Sequence, residues 1–424
     1  MLRRFWLLGV LMLAGMGYTL AQAPTPTPSI MTLTPASPSA RPSWAIAPAL
    51  MSASAGWSCG DYPCQDDLIG WQARIRVSEG FTLSYVGRFN GQVQQIAVDG
   101  AGRLYATVLE NGTRNGAVYR MNADGTSTRL TGTLISPLGL AFQPSTDVLY
   151  VTARTTPLQG GALWRVLSDG QMELVRDDLP CCYMEIDNQP NGLLFGADGY
   201  LYMGVGALTD RAESPNPRAQ AYATLVPYEA SILRIHPHTG ELDVFATGIR
   251  NPYDVAQDSA GRFYATDTGT VAGIGDRLLA VVEGGNYGFP YYRGRGCEDC
   301  PIQLSGAVSA PDVLAFEPYT LPQGLVAYTG AQFPANMRDT LFVALWHRGM
   351  VLWVDPNAPQ AQAVPFVTGL LRPSDVVVDA DGTLLIADWL YGQVWRVRHS
   401  ATAGFLVPTP TPMPNLFVTS TPSP

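Results

Sequence analysis

The amino-acid sequence predicts an all-β protein, a six-bladed β-propeller built from four-stranded antiparallel blades. Two observations carry this prediction. The chain of 424 residues contains 43 glycines and 34 prolines, and only 14% of its residues are charged, a composition that favours many turns and few long amphipathic helices. A pattern of two apolar strands joined by a tight turn also occurs six times along the chain, and such repeats pack together as the blades of a propeller.

The first 23 residues have the layout of a secretory signal peptide. Arg3 and Arg4 precede an apolar run at 5–13, and small residues suitable for cleavage follow at 21–23. No stretch of the chain approaches the roughly 18 continuous apolar residues of a membrane-spanning helix. We therefore expect a protein that is exported to the periplasm or the extracellular space and retains no transmembrane helix.

Two tracts rich in proline, threonine and serine flank the repeats. Residues 24–56 are expected to form a solvated linker and residues 401–424 a disordered tail, because neither has much apolar surface to bury. Between these tracts lie a cysteine-containing segment, 57–78, and the predicted propeller, 79–400. The net charge of −9 disfavours nucleic acid and anionic membranes as partners.

The six cysteines fall in three local pairs. These pairs are Cys59 with Cys64, Cys181 with Cys182, and Cys297 with Cys300. In an exported protein, disulfides are favoured over free thiols. The sequence does not determine which of the possible pairings forms.

Each repeat consists of an apolar strand, a turn, a second strand, a variable loop and a third strand. The first two strands of the six repeats occupy residues 94–108, 138–153, 191–206, 253–269, 323–346 and 374–389. A more polar fourth strand follows in four of the repeats, at 126–134, 172–179, 241–249 and 362–370. The spacing between repeats is unequal, which disfavours a β-solenoid of short uniform units.

Residues 80–89 have the composition of a fourth strand but precede the first repeat. The last repeat ends near His399 without a fourth strand of its own. We therefore predict that this N-terminal strand closes the propeller as the outer strand of the last blade.

One face of the propeller is expected to collect three arginines. The loop before the first strand and the loop after the second strand of each blade emerge on the same face, which places Arg250, Arg348 and Arg372 around the channel. Planar guanidinium groups suit the multidentate recognition of an anion such as a polycarboxylate. The arginines are equally suited to pairing with acidic residues of the same rim, namely Asp267, Asp276, Asp375 and Asp388.

Four segments of the chain together resemble the soluble PQQ-dependent sugar dehydrogenases, the glucose/sorbosone dehydrogenase family. These segments are LLFGADGYLY (193–202), GIRNPYDVAQDSAGRFYATDTG (248–269), EGGNYGFPY (283–291) and VALWHRGMVLWV (343–354). The resemblance covers about residues 79–399. It implies a six-bladed propeller that oxidises a sugar hydroxyl or hemiacetal by hydride transfer to PQQ, assisted by Ca²⁺, with an external electron acceptor.

The resemblance also implies roles for individual residues. The cofactor-binding positions correspond to Arg250, Asn251, Thr268, Trp346, Arg348 and Arg372. The calcium-binding positions correspond to Asp267, Gly269, Thr270 and Asp276. The position of the catalytic base corresponds to Asn188, preceded by the acidic Asp187, and His347 stands where the family often has a lysine.

The chain departs from the family at three positions. Asn188 replaces the base histidine, and an asparagine cannot accept a proton at a useful pH. Arg277 follows Asp276 where the family often has an Asp-Glu pair, and Ala207 replaces a further aspartate. His347 is a candidate substitute base or carboxylate partner, or else an ordinary polar residue of the rim.

Three functions are consistent with these residues. The first is an exported PQQ-dependent sugar dehydrogenase with an altered active site. The second is a catalytically degenerate propeller that binds a carbohydrate or a partner protein, and the third is a calcium-dependent hydrolase of the lactonase type. Four aromatic side chains are candidates to stack on a flat cofactor or sugar, namely Tyr183, Tyr228, Trp346 and Trp389.

Overall fold

The computed structural model of this chain describes residues 58–110, 112–158, 160–182, 188–210, 225–269, 275–290, 312–358 and 361–400. The predicted signal peptide, the linker 24–56 and the tail 401–424 lie outside the described residues. Within the described residues, the helices are too short or too polar to cross a membrane.

The cysteine-containing segment is ordered through a small sheet and one helix. Its elements and the next strand are β1 (Ser58–Cys59), β2 (Tyr62–Pro63), α1 (Leu68–Arg74), β3 (Arg76–Val77) and β4 (Phe81–Arg88). A disulfide joins Cys59 to Cys64. Asp67 caps α1 by accepting a hydrogen bond from Gly70 N at 2.8 Å, and Trp71 of the helix is fully buried.

Six groups of antiparallel strands follow in the described residues, and we number them as blades 1 to 6. Blades 1 and 2 contain β5 (Gln92–Val98), β6 (Leu104–Leu109), β7 (Asn115–Met121), β8 (Ser127–Arg129), β9 (Leu134–Ile135), β10 (Leu140–Phe142), β11 (Leu149–Arg154), β12 (Gly161–Val166) and β13 (Met172–Leu179). The short β9 pairs with both β7 and β11 and so joins the two blades.

Blades 3 and 4 lie before and after the loop that carries Arg250 and Asn251. Their strands are β14 (Pro190–Phe195), β15 (Leu201–Val205), β16 (Ser231–Ile235), β17 (Leu242–Thr247), β18 (Pro252–Gln257), β19 (Phe263–Asp267), β20 (Arg277–Val281), β21 (Gly285–Asn286) and β22 (Asp312–Ala315). The strand β21 adds to blade 3 by pairing in parallel with β17.

Blades 5 and 6 complete the described sheets. Their strands are β23 (Pro322–Ala327), β24 (Leu341–Leu345), β25 (Met350–Asp355), β26 (Gln362–Thr368), β27 (Pro373–Val378), β28 (Leu384–Asp388) and β29 (Gln393–His399), with 3₁₀ turns at Ala335–Met337 and Trp346–Arg348. The strand β3 pairs with β26, which attaches segment 57–78 to blade 5.

The predicted N-terminal closure is confirmed. The strand β4 pairs with β29 along its whole length, from Phe81 opposite His399 to Arg88 opposite Gln393. The prediction of an all-β protein built mainly from antiparallel strands is also confirmed, although the blade sheets contain four, five or, where blades 1 and 2 are joined, nine strands instead of four throughout. The first strands neighbour one another in the closed order β5, β10, β14, β18, β23, β27 and back to β5, so they form the wall of a central channel.

Two kinds of contact hold neighbouring blades together. Aromatic side chains of a second strand pack on the next blade, as for Tyr105 against Phe142, whose ring centroids are 4.9 Å apart. Threonines of second strands also donate hydrogen bonds to main-chain oxygens of the next first strand. Thr152 Oγ1 donates to Asn191 O at 3.0 Å, and Thr266 Oγ1 donates to Gln323 O at 2.9 Å.

Candidate functional site

The strand register places the predicted site loops along one edge of the blades. Pro252 pairs with Asp267 in blade 4, and Pro373 pairs with Asp388 in blade 6. The start of each first strand therefore lies beside the end of its second strand. We call the face on which these loops emerge the mouth; its described loops are 188–189, 206–210, 248–251, 268–269, 317–321, 346–349, 370–372 and 389–392.

Arg250 is buried and connects three segments of the mouth. Its side chain is 4% exposed and pairs with Asp210 Oδ1 at 2.8 Å. Its other guanidinium donors reach Asp210 O at 3.0 Å and Thr268 O at 3.1 Å. The sequence does not indicate Asp210 as the partner, because that residue belongs to a different blade. Arg250 therefore holds loops of the mouth in place, and its charge is neutralised within the protein.

Asn251 is fixed in orientation by two neighbours. Asn191 Nδ2 donates to Asn251 Oδ1 at 2.8 Å, and Asn251 N donates to Asp267 Oδ1 at 2.9 Å. Thr268, another predicted cofactor contact, donates its main-chain N–H to Asn251 O at 3.3 Å. The orientation of the Asn251 side-chain amide is thus fixed, and its Oδ1 already accepts a hydrogen bond.

Asn188 lies beside Asn251 and has a buried amide nitrogen without a partner. Its side chain is largely buried, and Nδ2 makes no hydrogen bond among the described residues. A Cβ placed on Gly206 would lie 2.6 Å from both Asn188 Cβ and Asn251 Oδ1, so glycine allows this close packing. An unsatisfied buried donor costs about 1–3 kcal/mol, which favours a ligand that brings an acceptor here. Asp187 lies outside the described residues.

An aromatic group occupies the mouth at blades 5 and 6. The rings of Trp346 and Trp389 are 5.7 Å apart and steeply inclined to each other. The Arg372 guanidinium lies 4.8 Å from the centre of the Trp346 ring, a cation–π geometry. His347 packs on Trp346 from the same 3₁₀ turn, at 4.8 Å between ring centroids. This group combines apolar faces with exposed donors.

The tautomer of His347 is defined by one hydrogen bond. Its Nδ1 lies 2.7 Å from the main-chain oxygen of Tyr319. A carbonyl can only accept, so Nδ1 carries the proton and Nε2 of the neutral ring is left as an acceptor. The side chain is exposed, so Nε2 is accessible to a ligand.

The segment 317–321 supports His347 and Arg348. Arg348 lies 3.4 Å from Glu317 in a half-exposed ion pair, and Trp346 N donates to Leu321 O at 3.0 Å. The segment is itself anchored by Asp276, whose Oδ2 accepts from Leu321 N at 2.6 Å. The same carboxylate accepts from Gly269 N at 2.8 Å, which links the loops of blades 4 and 5.

The acids of the mouth are engaged with the protein. Asp267 is fully buried and paired with Arg277. Burial raises the pKa of Asp276 to about 6, although the N–H groups of Leu321 and Gly269 oppose this shift. Burial likewise raises the pKa of Asp388 to about 6, against the N–H groups of Leu371 and Arg372 and the charge of Arg372.

The described residues do not fit a calcium ion at the predicted position. Asp267 Oδ2 accepts from Arg277, and Asp267 Oδ1 accepts from Asn251 N. Gly269 gives its N–H to Asp276, and Thr270 lies outside the described residues. In the described part of the chain, no three His, Cys, Asp or Glu side chains lie close enough to hold a metal. Calcium requires six to eight oxygen ligands.

The three predicted arginines have different environments. Arg372 lies over the Trp346 ring, Arg348 ends the 3₁₀ turn that begins at Trp346, and Arg250 is buried and donates to Thr268 O. None of them pairs its side chain with the four rim acids that the sequence suggested; instead Arg250 pairs with Asp210 and Arg348 with Glu317. Asp375, expected at the rim, lines the channel instead. Tyr183 lies outside the described residues, and Tyr228 packs against a core cluster.

Two further polar residues of the mouth were not identified from the sequence. Gln189 and Arg154 are buried and form a hydrogen bond of 2.6 Å between Gln189 Oε1 and Arg154 Nε. Gln189 Nε2 donates to Ser136 O at 2.8 Å. The only sequence signal was the position of Gln189 directly after Asn188. The hydrogen bonds of Gln189 and Arg154 connect blade 3 to blade 2 next to the Asn188 amide.

Known proteins share the fold and part of the sequence. Residues 185–395 match the family model described as Glucose / Sorbosone dehydrogenase. The soluble aldose sugar dehydrogenase (Asd) of Escherichia coli in the apo-form is similar at 15% identity, over 75% of this chain and 99% of that chain, with a TM-score of 0.59.

Two cofactor-bound structures are similar to the same extent. The PQQ-bound aldose sugar dehydrogenase (Adh) of Streptomyces coelicolor shares 19% identity, over 76% of this chain and 99% of that chain, with a TM-score of 0.56. The holo pyranose dehydrogenase PQQ domain of Coprinopsis cinerea shares 16%, over 76% and 97%, with a TM-score of 0.56. No curated protein sequence gives a match. The resemblance read from the sequence is confirmed, and the structural likenesses establish the fold.

Proposed function

We propose that this protein binds PQQ at the mouth and oxidises a sugar there, on the premise that residues 185–395 match the glucose/sorbosone dehydrogenase family model. The observation that carries the proposal is the set of donors around the channel. Asn188 Nδ2 is buried without an acceptor among the described residues, the Arg372 guanidinium lies over the Trp346 ring, and Arg348 is partly exposed in the same 3₁₀ turn as Trp346. PQQ presents carboxylates and quinone oxygens, all of which are acceptors.

Each residue of the mouth has a role in this proposal. Arg348 and Arg372 pair with carboxylates, and Asn188 donates to an oxygen of the ligand. Trp346 and Trp389 supply flat apolar faces for a ring system. PQQ, when bound, supplies a quinone that accepts hydride. His347 takes the proton of the sugar hydroxyl at Nε2, because its Nδ1 is held protonated by Tyr319 O.

No step is assigned to calcium, because the described residues do not fit it. Asp267 and Asp276 are held by Arg277 and by main-chain N–H groups. The lactonase-type alternative, which depends on that metal, loses its support for the same reason.

The second candidate is a propeller that binds a sugar or PQQ without turnover. The observation that favours it is Asn188, because an amide at the position of the family's base cannot accept a proton. We propose the same location for both candidates, namely outside the cytoplasm after removal of residues 1–23. The electron acceptor of the first candidate is then an external one.

The test is to titrate the mature protein with PQQ and to follow binding by calorimetry and by the cofactor's absorption spectrum. Aldoses with an artificial electron acceptor are added afterwards. We expect PQQ binding in the micromolar range, weakened at least tenfold by Trp346→Ala. Tyr200→Ala is the matched control, because that aromatic residue lies in a turn on the opposite face.

The outcomes separate the two candidates. Binding with turnover that is lost in His347→Gln supports the dehydrogenase. Binding without turnover supports the second candidate, and turnover gained in Asn188→His would identify the missing base. The proposal fails if PQQ does not bind at 100-fold excess, or if both aromatic variants bind it equally.

A further inference from the structure

The channel wall carries six equivalent residues, one from each blade; five lie in the first strand, and Gly139 directly precedes β10. We call them the channel ring: Gln95, Gly139, Gly192, Asp254, Gly324 and Asp375. In five of the blades, the pairing register shifts at this position. The acids of the ring reach the next blade at the same level. Leu325 N, next to Gly324, donates to Asp254 Oδ2 at 2.8 Å, and Ile96 N, next to Gln95, donates to Asp375 Oδ2 at 2.7 Å.

Glycines of the channel ring make room for its polar side chains. A Cβ on Gly192 would lie 2.4 Å from Asp254 Oδ1 and 2.9 Å from Gln95 Nε2. A Cβ on Gly324 would lie 2.4 Å from Asp375 Oδ1. The carboxylate of Asp254 and the amide of Gln95 therefore converge on the same place.

Among the residues that the structure describes, the two carboxyl groups of the channel ring have no basic partner. Asp254 and Asp375 are both buried, and their remaining oxygens accept from Val255 N at 2.9 Å and Val376 N at 2.8 Å. Burial raises the pKa of Asp254 to about 7. Burial and the Asp254 charge raise the pKa of Asp375. A carboxylate has about four lone-pair sites, so each can accept further donors.

Gln95 adds a buried amide donor that lies near Asp254 but makes no well-formed hydrogen bond among the described residues. Its side chain is 3% exposed, and Nε2 makes no hydrogen bond of good geometry among the described residues, although the amide lowers the pKa of the nearby Asp254. Its main-chain N–H is satisfied by Thr107 Oγ1 at 3.2 Å. The orphaned amide lies nine-tenths buried beside the carboxyl pair.

A cavity of about 310 Å³ begins at the channel ring. It runs along the later halves of the six first strands, away from the mouth, toward the turns at 99–102 and 258–261. Beyond the polar ring members, its walls are mostly hydrocarbon, with Leu194, Val326 and Val377 among them. This volume is at the small end of the range for small-molecule sites.

We propose that the channel ring binds a small organic ammonium that carries a hydroxyl next to its charge and an apolar chain beyond it. The ammonium donates to the carboxyl groups of Asp254 and Asp375. The hydroxyl accepts from Gln95 Nε2, and the chain lies along the hydrocarbon wall. The site is separate from the mouth and independent of the function proposed there.

The surroundings favour an organic cation over a metal ion. Calcium takes six to eight oxygen ligands, whereas the described residues around the cavity offer two carboxyl groups and mainly aliphatic walls. Two carboxyl groups that share one proton carry a single negative charge, which one ammonium neutralises.

Three probes of equal length test the ligand chemistry. They are 2-amino-1-hexanol, hexylamine and 1,2-hexanediol, titrated into the cofactor-free mature protein at pH 7.5 by calorimetry. The amino alcohol is expected to bind tightest, hexylamine roughly three- to tenfold more weakly because it leaves Gln95 unpartnered, and the diol at least 100-fold more weakly because it lacks the charge.

Variants test the location. Asp254→Asn is expected to weaken the amino alcohol at least tenfold, whereas Gln95→Leu is expected to abolish the difference between the amino alcohol and hexylamine. Asp258→Asn is the matched control, because that acid is buried four residues later but does not line the cavity. Gln95→Leu keeps the test decisive if Asp254→Asn does not fold.

Each result decides the proposal. The expected order of probes together with the loss in Asp254→Asn or the change in Gln95→Leu supports it. Equal binding of the amine and the diol, no binding at millimolar concentration, or unchanged affinity in the variants overturns it. Displacement of the amino alcohol by millimolar CaCl₂ would replace the organic ligand with a metal.

Discussion

Asp254 and Asp258 lie four residues apart, the first on the channel wall in β18 and the second in the turn that follows this strand. Both are buried. Asp258 accepts from the main-chain N–H of Arg262 at 2.9 Å and from its Nε at 2.6 Å. Asp254 instead accepts from Leu325 N of the next blade, and its charge raises the pKa of Asp375. The charge of Asp258 is thus neutralised by an arginine four residues away, whereas Asp254 has no such partner among the described residues.

The pairing of a buried turn aspartate with an arginine recurs in other turns of the same face. Asp99 accepts from Arg103 Nε at 2.6 Å, and Asp379 accepts from Arg396 at 2.6 Å. Burial raises the pKa of Asp99, but hydrogen bonds from Arg103 and Ala101 outweigh burial and leave it below the usual value. The acid of such a turn is therefore neutralised by an arginine of its own blade, four residues away for Asp99 and in β29 for Asp379. The acids of the channel ring come from separate blades and meet only in the folded protein.

The sharpest test of this contrast is to remove the arginine partner of another buried acid, so that this acid, like Asp254, has no basic partner. Arg277 and Asp267 are 2% and 0% exposed. Arg277→Met should lower the free energy of unfolding by about 3–5 kcal/mol, because it leaves a buried charge without a partner. Urea unfolding followed by tryptophan fluorescence measures this loss. A loss below about 1 kcal/mol would mean that the pair is not what stabilises Asp267.

The second test concerns pH. The folded-state pKa of Asp254 is about 7, above that of the unfolded chain, so the folded protein holds a proton that the unfolded chain releases. The unfolding free energy should therefore fall as pH rises from about 4 to 7, by about 1.4 kcal/mol per pH unit for one such group.

Asp375 contributes to the same slope because its pKa is also raised. Asp276 and Asp388 contribute at lower pH, since their pKa values are raised to about 6. The difference between the wild type and Asp254→Asn isolates the channel group. We expect a shallower slope in the variant, measured by urea unfolding at pH 5 and pH 7. Identical slopes would show that Asp254 does not hold the proton.

A smaller effect is expected from the locally paired acid. Arg262 is 47% exposed, so water can partly replace it when it is removed. Arg262→Met should cost about 1 kcal/mol of unfolding free energy. Thermal unfolding at pH 7 measures this, and a cost equal to that of Arg277→Met would remove the distinction between exposed and buried partners.

The smallest effect on stability is expected at the mouth. His347 is exposed, and glutamine can replace its hydrogen bond to Tyr319 O. His347→Gln should change the unfolding free energy by less than about 0.5 kcal/mol. Its melting temperature should match that of the wild type within the scatter of repeated scans. A larger loss would assign His347 a structural role and weaken its use as a probe of proton transfer.

Much of the fold was predictable because its signals are local. The polar segment 172–179 predicted β13 with the same bounds, and segment 80–89 was recognised as a displaced fourth strand from composition alone. The adjacent Cys181 and Cys182 and the pair Cys59 and Cys64 are disulfide-bonded; the third pair lies outside the described residues.

The candidate site was predictable only in part. Topology places Arg250, Arg348 and Trp346 on one face, as the sequence suggested. The sequence did not reveal that Asp210 neutralises Arg250, because these residues lie in different blades. Nor did the sequence indicate that Arg277 neutralises Asp267 within blade 4. From the sequence, Arg277 was recognised only as a departure from the family.

The sequence by itself determined the strands, the turns and the order of the blades, because alternating apolar residues and turn residues act over a few positions. The tertiary structure alone decided which charges are neutralised. Asp254 and Asp375 are 121 positions apart in the sequence and meet across one channel. Electrostatic energy depends on the distance and burial of the two groups, and neither quantity is encoded in the residues that flank them.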